Sequence, residues 1–172
     1  MLSILLPLIT ITLLILAQIQ TTTEKTLKFL IPLIALLILI YILDDVDIVV
    51  IAIKSVSLLN VVLLYILHRK DKMDFMPVIR KVLAAFVVVI IIVKGFTFLG
   101  ILTGLLWGIG ALAGTIKDPL RMKLVYVVST SGWLALSLFQ GSPGAALTEL
   151  AGLISVFYAI YVIQKEKKEI IS

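Results

Sequence analysis

The feature that most limits what this chain can become is the length of its apolar runs. Seven stretches, about Met1 to Gln20, Leu27 to Leu43, Ile48 to Leu67, Pro77 to Val93, Phe96 to Ile116, Met122 to Phe139 and Pro143 to Ile163, carry almost no charge and are separated by short polar links. A bilayer core about 30 Å thick takes roughly 20 helical residues, and backbone in lipid must satisfy its hydrogen bonds internally. No alternating polar and apolar period accompanies the runs, which argues against a barrel. An all-α integral membrane protein with seven transmembrane helices is expected. Composition agrees: 62% of the 172 residues are hydrophobic and 15% charged, with a mean hydropathy of +1.23, more apolar surface than a soluble domain of this size can hide. Arg80 and Lys81 shorten the apolar part of the fourth run to Val82 through Val93. They must snorkel to an interface, and a count of six spans stays open. The first run has no basic n-region and no small-residue cleavage site, so it is counted as a span and not as a signal peptide.

Charge sets the orientation. Threading seven spans puts Lys25, Lys28, Arg69, Lys70, Lys72, Arg80, Lys81, Lys117, Arg121, Lys123, Lys165, Lys167 and Lys168 on one face, Lys94 on the other and Lys54 inside a span. The positive-inside rule then predicts a cytoplasmic C-terminus and an outside N-terminus in a prokaryotic cytoplasmic (inner) membrane. Removing the fourth span would send the Lys117 to Lys123 cluster and the C-terminal lysines outside. The net charge of +5 is explained by these loops and by anionic head groups, so the expected partner is the lipid bilayer and not nucleic acid. There is no cysteine, and the single histidine, His68, stands at a helix end beside Arg69 and Lys70. Neither a metal site nor a cofactor is expected. No His-Glu-x-x-His, no serine with a histidine base and no glycine-rich phosphate loop is present, so the chain is not expected to be an enzyme.

A shift of 96 residues lays the first three spans on the last three without gaps. Lys25 falls on Arg121, the hairpin Asp44-Asp45-Val46-Asp47 on Gln140-Gly141-Ser142-Pro143, and Tyr65 on Tyr161. Two three-helix units share an orientation only when an odd number of spans joins them, and the fourth run provides one. The expected plan is two parallel three-helix bundles joined by a linker helix (3+1+3): residues 1–72, 73–94 and 95–172, the last with a short basic tail.

Residues 121–168, RMKLVYVVSTSGWLALSLFQGSPGAALTELAGLISVFYAIYVIQKEKK, resemble the C-terminal part of the bacterial inner-membrane YgjV family. The matching positions are Arg121, Lys123, Ser129, Thr130, Trp133, Gly141, Ser142, Gly144 and Glu149. The 3+1+3 plan in turn resembles the wider MtN3/PQ-loop group that includes the SWEET sugar carriers. That resemblance implies two bundles around a central path, alternating between inward-open and outward-open states, with Pro7 and Pro32 as hinge candidates. The chain lacks the Pro-Gln dipeptide of that group and the paired asparagines of its sugar carriers, so a sugar is not implied.

Two ionisable residues lie well inside apolar runs. Lys54 is seven residues past Asp47 and Glu149 six past Pro143, so both sit roughly 10 Å below the same face at 1.5 Å per residue. The shift puts Lys54 on Leu150, the neighbour of Glu149. A lone charge in hydrocarbon costs about 2.5 to 3.5 kcal/mol on insertion scales, so such residues face the interior and find partners. Lys54 and Glu149 are expected to pair across the pseudo-twofold axis, as a gate or polar contact in a solute path, or as a fixed ion pair that docks the halves. The alternative sends Lys54 to Asp44, Asp45 or Asp47 and Glu149 to a hydroxyl such as Thr148 or Ser55.

Asn60, with Ser57 one turn away, Ser155 near its repeat counterpart and Trp133 in the sixth span, makes a second candidate: a small polar site at mid-membrane, or interhelical hydrogen bonding. Gly100, Gly104 and Gly108 form a small-xxx-small stripe expected to serve helix packing. The acidic hairpin is expected to be a solvated turn, with weak calcium binding as its alternative. The leading expectation is a small-solute transporter of unknown substrate. The runner-up is a non-transporting accessory subunit of a larger membrane complex. A homo-oligomer fits either.

Overall fold

The computed structural model of the protein describes residues 2–18, 23–113, 116 and 118–171. Met1 and Gln20, taken above as ends of the first span, and Lys117, one of the counted cations, lie outside the described residues. Seven α-helices follow one another: α1 Leu2–Gln18, α2 Thr23–Leu43, α3 Ile48–Arg69, α4 Met76–Val93 after a single 3-10 turn Met73–Phe75, α5 Phe98–Ala113, α6 Pro119–Phe139 and α7 Pro143–Ile171.

Four of the links end their helix in the same way. The amide of the third residue past the helix reaches back five residues, as in Val46 to the Tyr41 carbonyl, Lys72 to Leu67, Phe96 to Ile91 and Ser142 to Ser137. This 6→1 bond with a left-handed residue before it is the Schellman motif, which satisfies carbonyls the helix leaves open. The left-handed positions are Asp45 (φ 53), Asp71 (φ 53), Gly95 (φ 83) and Gly141 (φ 69). Restarts are capped by side chains: Asp47 accepts from the Val49 amide at 2.7 Å and Asp118 from that of Arg121 at 2.8 Å, the N-cap geometry that short polar residues supply.

Among the described residues five of the seven helices are long and apolar enough to cross a membrane, and α1 and α5 are shorter. Seven full-length spans were expected, and α5 shows the local reason for the difference. Phe96, expected at its start, has φ 53 and so cannot be helical. Thr97 caps the helix instead, accepting from the Gly100 amide at 3.1 Å. The 16 described residues of α5 rise about 24 Å.

The helices pack in a ring. Going round it, α1 touches α2, α2 touches α3, α3 touches α5, α5 touches α6, α6 touches α7, and α7 returns to α1. α4 lies outside, against α3 and α5, and α2 also makes a small contact with α7. Among the described residues α1 does not pack on α3, nor α5 on α7. Each expected three-helix bundle is therefore a row with its second helix in the middle, because the short links favour packing between sequence neighbours. The hairpins α2–α3 and α6–α7 meet at one end, here the acidic end. Arg69, Lys70, Arg121 and Lys123 lie at the opposite, basic end.

Small residues let the ring close. The Leu106 side chain fills the space in front of Gly132, joining α5 to α6. A Cβ on Gly144 would lie 3.0 Å from Pro7 and 3.2 Å from Ile40, so the start of α7 sits tightly on α1 and α2. The Thr10 hydroxyl turns back within α1, donating to the Pro7 carbonyl at 2.7 Å.

Candidate functional site

Inside the ring, near the acidic end, four helices send side chains towards one point. Lys54 on α3 donates from Nζ to Glu149 Oε1 on α7 at 2.8 Å. The same Nζ lies 3.9 Å from the centre of the Trp133 ring on α6 and 5.9 Å from that of Tyr41 on α2. Tyr41 Oη and Ser137 Oγ on α6 share a hydrogen bond at 2.9 Å. Neither α3 and α7 nor α2 and α6 pack directly on each other, so long side chains, not helix backbones, fill this level of the ring. Tyr41 and Ser137 are fully buried, Trp133 and Lys54 are 6% and 7% exposed and Glu149 9%.

Each member has the chemistry its place needs. An ammonium in a dry site is held by an opposite charge and by the negative faces of aromatic rings. A buried tyrosine hydroxyl needs a partner, which Ser137 provides. The pairing of Lys54 with Glu149 expected from the sequence is the geometry found; the route to Asp44, Asp45 or Asp47 is not taken. A further layer supports α7: Thr148 Oγ1 donates to the Gly144 carbonyl at 3.0 Å and shares a 2.8 Å bond with Thr10 Oγ1 on α1.

Above this plug the two hairpins hold each other. Ser142 Oγ donates to Asp44 Oδ2, and the Asp47 amide donates to Gln140 Oε1 at 3.1 Å. The acidic turn is thus engaged with protein and not merely solvated, as had been expected. Among the described residues no three His, Asp or Glu side chains gather as metal ligands.

In the second candidate site the two serines bond within their own helices. Ser57 donates to the Ile53 carbonyl at 3.4 Å and Ser155 to that of Ala151 at 2.8 Å, each back into its own helix. Serines in apolar helices commonly satisfy themselves in this way. Trp133 sits over Lys54, and the buried Oδ1 of Asn60 has no hydrogen-bond partner. The glycine stripe divides likewise. A Cβ on Gly104 would meet Ile91 and Val87 of α4, and one on Gly100 would meet Thr97, Val49 and Ile91; around Gly108 nothing lies within 4 Å. Steps of four residues turn the stripe about 40° each time, so Gly108 has rotated away and lines an apolar groove of about 460 Å³ between α4 and α5.

Sequence reasoning missed Tyr41, Ser137, Thr10 and the Asp44–Ser142 contact. One signal was available: Tyr41 and Ser137 are 96 residues apart, the offset of the repeat expected from the sequence.

A family model described as Imp-YgjV, bacterial inner membrane protein, matches residues 5–167. No curated protein and no solved structure matches the chain. Nearly the whole chain, including every residue of the plug, falls within the matched segment, and the protein belongs to the Imp-YgjV family of bacterial inner membrane proteins.

Proposed function

We propose that the protein is a small-solute carrier working by alternating access, with the Lys54–Glu149 plug as the gate at its acidic end. The observation that carries this is how the ring is closed there: by charged, aromatic and hydroxyl side chains that reach from α3 to α7 and from α2 to α6, two pairs of helices that do not pack on each other. A fixed core at that depth needs only apolar packing, whereas a closure that must open needs contacts that separate and re-form. Intramembrane ionisable residues mark solute and ion pathways by default.

The repeat supports it. Shifting α2, Thr23–Leu43, by 96 residues gives the bounds of α6, Pro119–Phe139, and α1 and α3 fall on α5 and the start of α7 in the same way. Parallel repeats of this kind rock against each other around a site at their interface. Here the seams are α1 with α7 and α3 with α5, and α4 links the two units in a 3+1+3 order. The distribution of basic residues argues for an acidic end facing outwards and a cytoplasmic basic end.

The test uses the absence of native cysteine. Asp44→Cys with Ser142→Cys is expected to form a disulfide across the hairpins that abolishes solute uptake into proteoliposomes and is reversed by reduction. It needs a solute, found by screening for thermal stabilisation of the purified chain. A chain stabilised by no solute, yet co-purifying with other membrane proteins, would instead favour the accessory-subunit reading. That alternative rests on the groove at Gly108, an uncovered small residue beside the α4–α5 contact, of the kind helices pack on.

A further inference from the structure

The gate has the makings of a binding site already occupied by part of the protein. An ammonium group, that of Lys54, sits 2.8 Å from a carboxylate and 3.9 Å from the centre of an indole ring, with a phenol ring 5.9 Å away. A carboxylate with aromatic faces is the arrangement that binds amine and quaternary ammonium ligands. The three groups that hold the cation, Tyr41, Trp133 and Glu149, belong to α2, α6 and α7, whereas the cation comes from α3. The receptor is thus complete without the lysine, and the lysine is attached to a different helix.

We propose that Lys54 is a tethered stand-in for the solute, and that the solute class is a small protonated amine that displaces the Lys54 ammonium from Glu149 and Trp133. The idea rests on the carrier reading and names its substrate. Exchange keeps every buried charge compensated. With the amine absent, Lys54 neutralises Glu149. With the amine bound, Glu149 is neutralised by the ligand, and Lys54 is released towards the acidic end, where Asp44, Asp45 and Asp47 lie. The direction suits the helix: Cα–Cβ bonds tilt towards the N-terminus, which for α3 is Asp47, and a lysine stem stretches along apolar surface to bring its charge to water. The same three carboxylates raise the local concentration of cations at the entrance. Because the vacated space is that of one lysine head group, a compact primary amine fits better than a bulky or anionic solute.

The test is chemical complementation of the purified full chain. Lys54→Ala removes the side chain beyond Cβ, and n-propylammonium supplies the missing atoms. The expected result is a lowered unfolding midpoint for Lys54→Ala that n-propylammonium chloride raises by several degrees, while sodium chloride at equal ionic strength does not. The rescue should disappear when Glu149→Gln or Trp133→Ala is added. Should Lys54→Ala not fold, Lys54→Met in the same assay and uptake of n-propylammonium by wild-type proteoliposomes take its place. No rescue and no amine uptake would overturn the proposal. If another solute is then carried and the hairpin disulfide blocks its uptake, the carrier reading stands and only the amine is wrong; if nothing is carried, both fall.

Discussion

Helices α3, α6 and α7 are packed differently in their two halves. Towards the acidic end the interior-facing positions of α3, α6 and α7 are buried: Val49, Val50, Ile53, Lys54 and Val56 on α3, Trp133, Leu136 and Ser137 on α6, and Ala145, Ala146, Thr148 and Glu149 on α7. Towards the basic end the same three helices loosen. Among the described residues none of α3 beyond Val56, of α6 before Ser129 or of α7 beyond Val156 is buried. The packed half also holds the interhelical side-chain bonds named above, whereas Ser57 and Ser155 bond only to their own helices. On these three helices the packing is therefore tight towards the acidic end and looser towards the basic end.

The largest test of this contrast lies at the plug. Glu149→Leu or Lys54→Met alone leaves one charge buried without its partner and is expected to cost about 3 to 5 kcal/mol in an unfolding titration of the detergent-solubilised protein. The double change Lys54→Met with Glu149→Leu should recover most of that loss. A double variant as unstable as the sum of the singles would mean that the two side chains do not act as a pair.

Packing comes next. Gly132→Val forces the Leu106 side chain out of its place and should cost about 1 to 3 kcal/mol, whereas Gly108→Ala, with open space around it, should stay within about 0.5 kcal/mol of wild type. Equal effects at the two glycines would remove the distinction between a filled contact and an open groove. Tyr41→Phe deletes the bond to Ser137 and should cost about 1 kcal/mol, within the range of hydrogen bonds between membrane helices.

The smallest effects are expected in the slack half. Ser57→Ala and Ser155→Ala each remove a bond back to the same helix and should change stability by less than about 0.5 kcal/mol. Asn60→Leu replaces a group whose Oδ1 is buried without a partner and should be neutral or stabilising, since an unsatisfied acceptor carries its desolvation cost with no return. A strong loss at any of the three would show that the basic half is packed more firmly than its exposure indicates.

How far the sequence carried these conclusions varies by feature. The helices and the pairing of Lys54 with Glu149 were legible because both follow from local rules: apolar length, turn position and the cost of a lone charge in lipid. The rings of Tyr41 and Trp133 around the ammonium were not, since which helix faces which depends on the order around the ring, and apolar runs do not encode that order. Asn60, Ser57 and Ser155 looked like a cluster because they share a depth, but a serine hydroxyl has a backbone carbonyl four residues back within reach, and depth alone cannot exclude that choice. The late start of α5 was hidden in the Lys94-Gly95-Phe96-Thr97 turn, where a left-handed Phe96 breaks an apolar run that composition alone would continue.

The claim that most needs testing is that the plug opens. Ser137 is fully buried beside Tyr41, so the rate at which a membrane-impermeant thiol reagent modifies Ser137→Cys reports opening of the plug. The account predicts slow modification with Lys54 and Glu149 intact, and modification faster by about tenfold or more, equivalent to about 1.4 kcal/mol, once Lys54→Met and Glu149→Leu are added. Equal rates in the two backgrounds, with both proteins folded, would contradict it and leave the ion pair as a fixed dock between the halves.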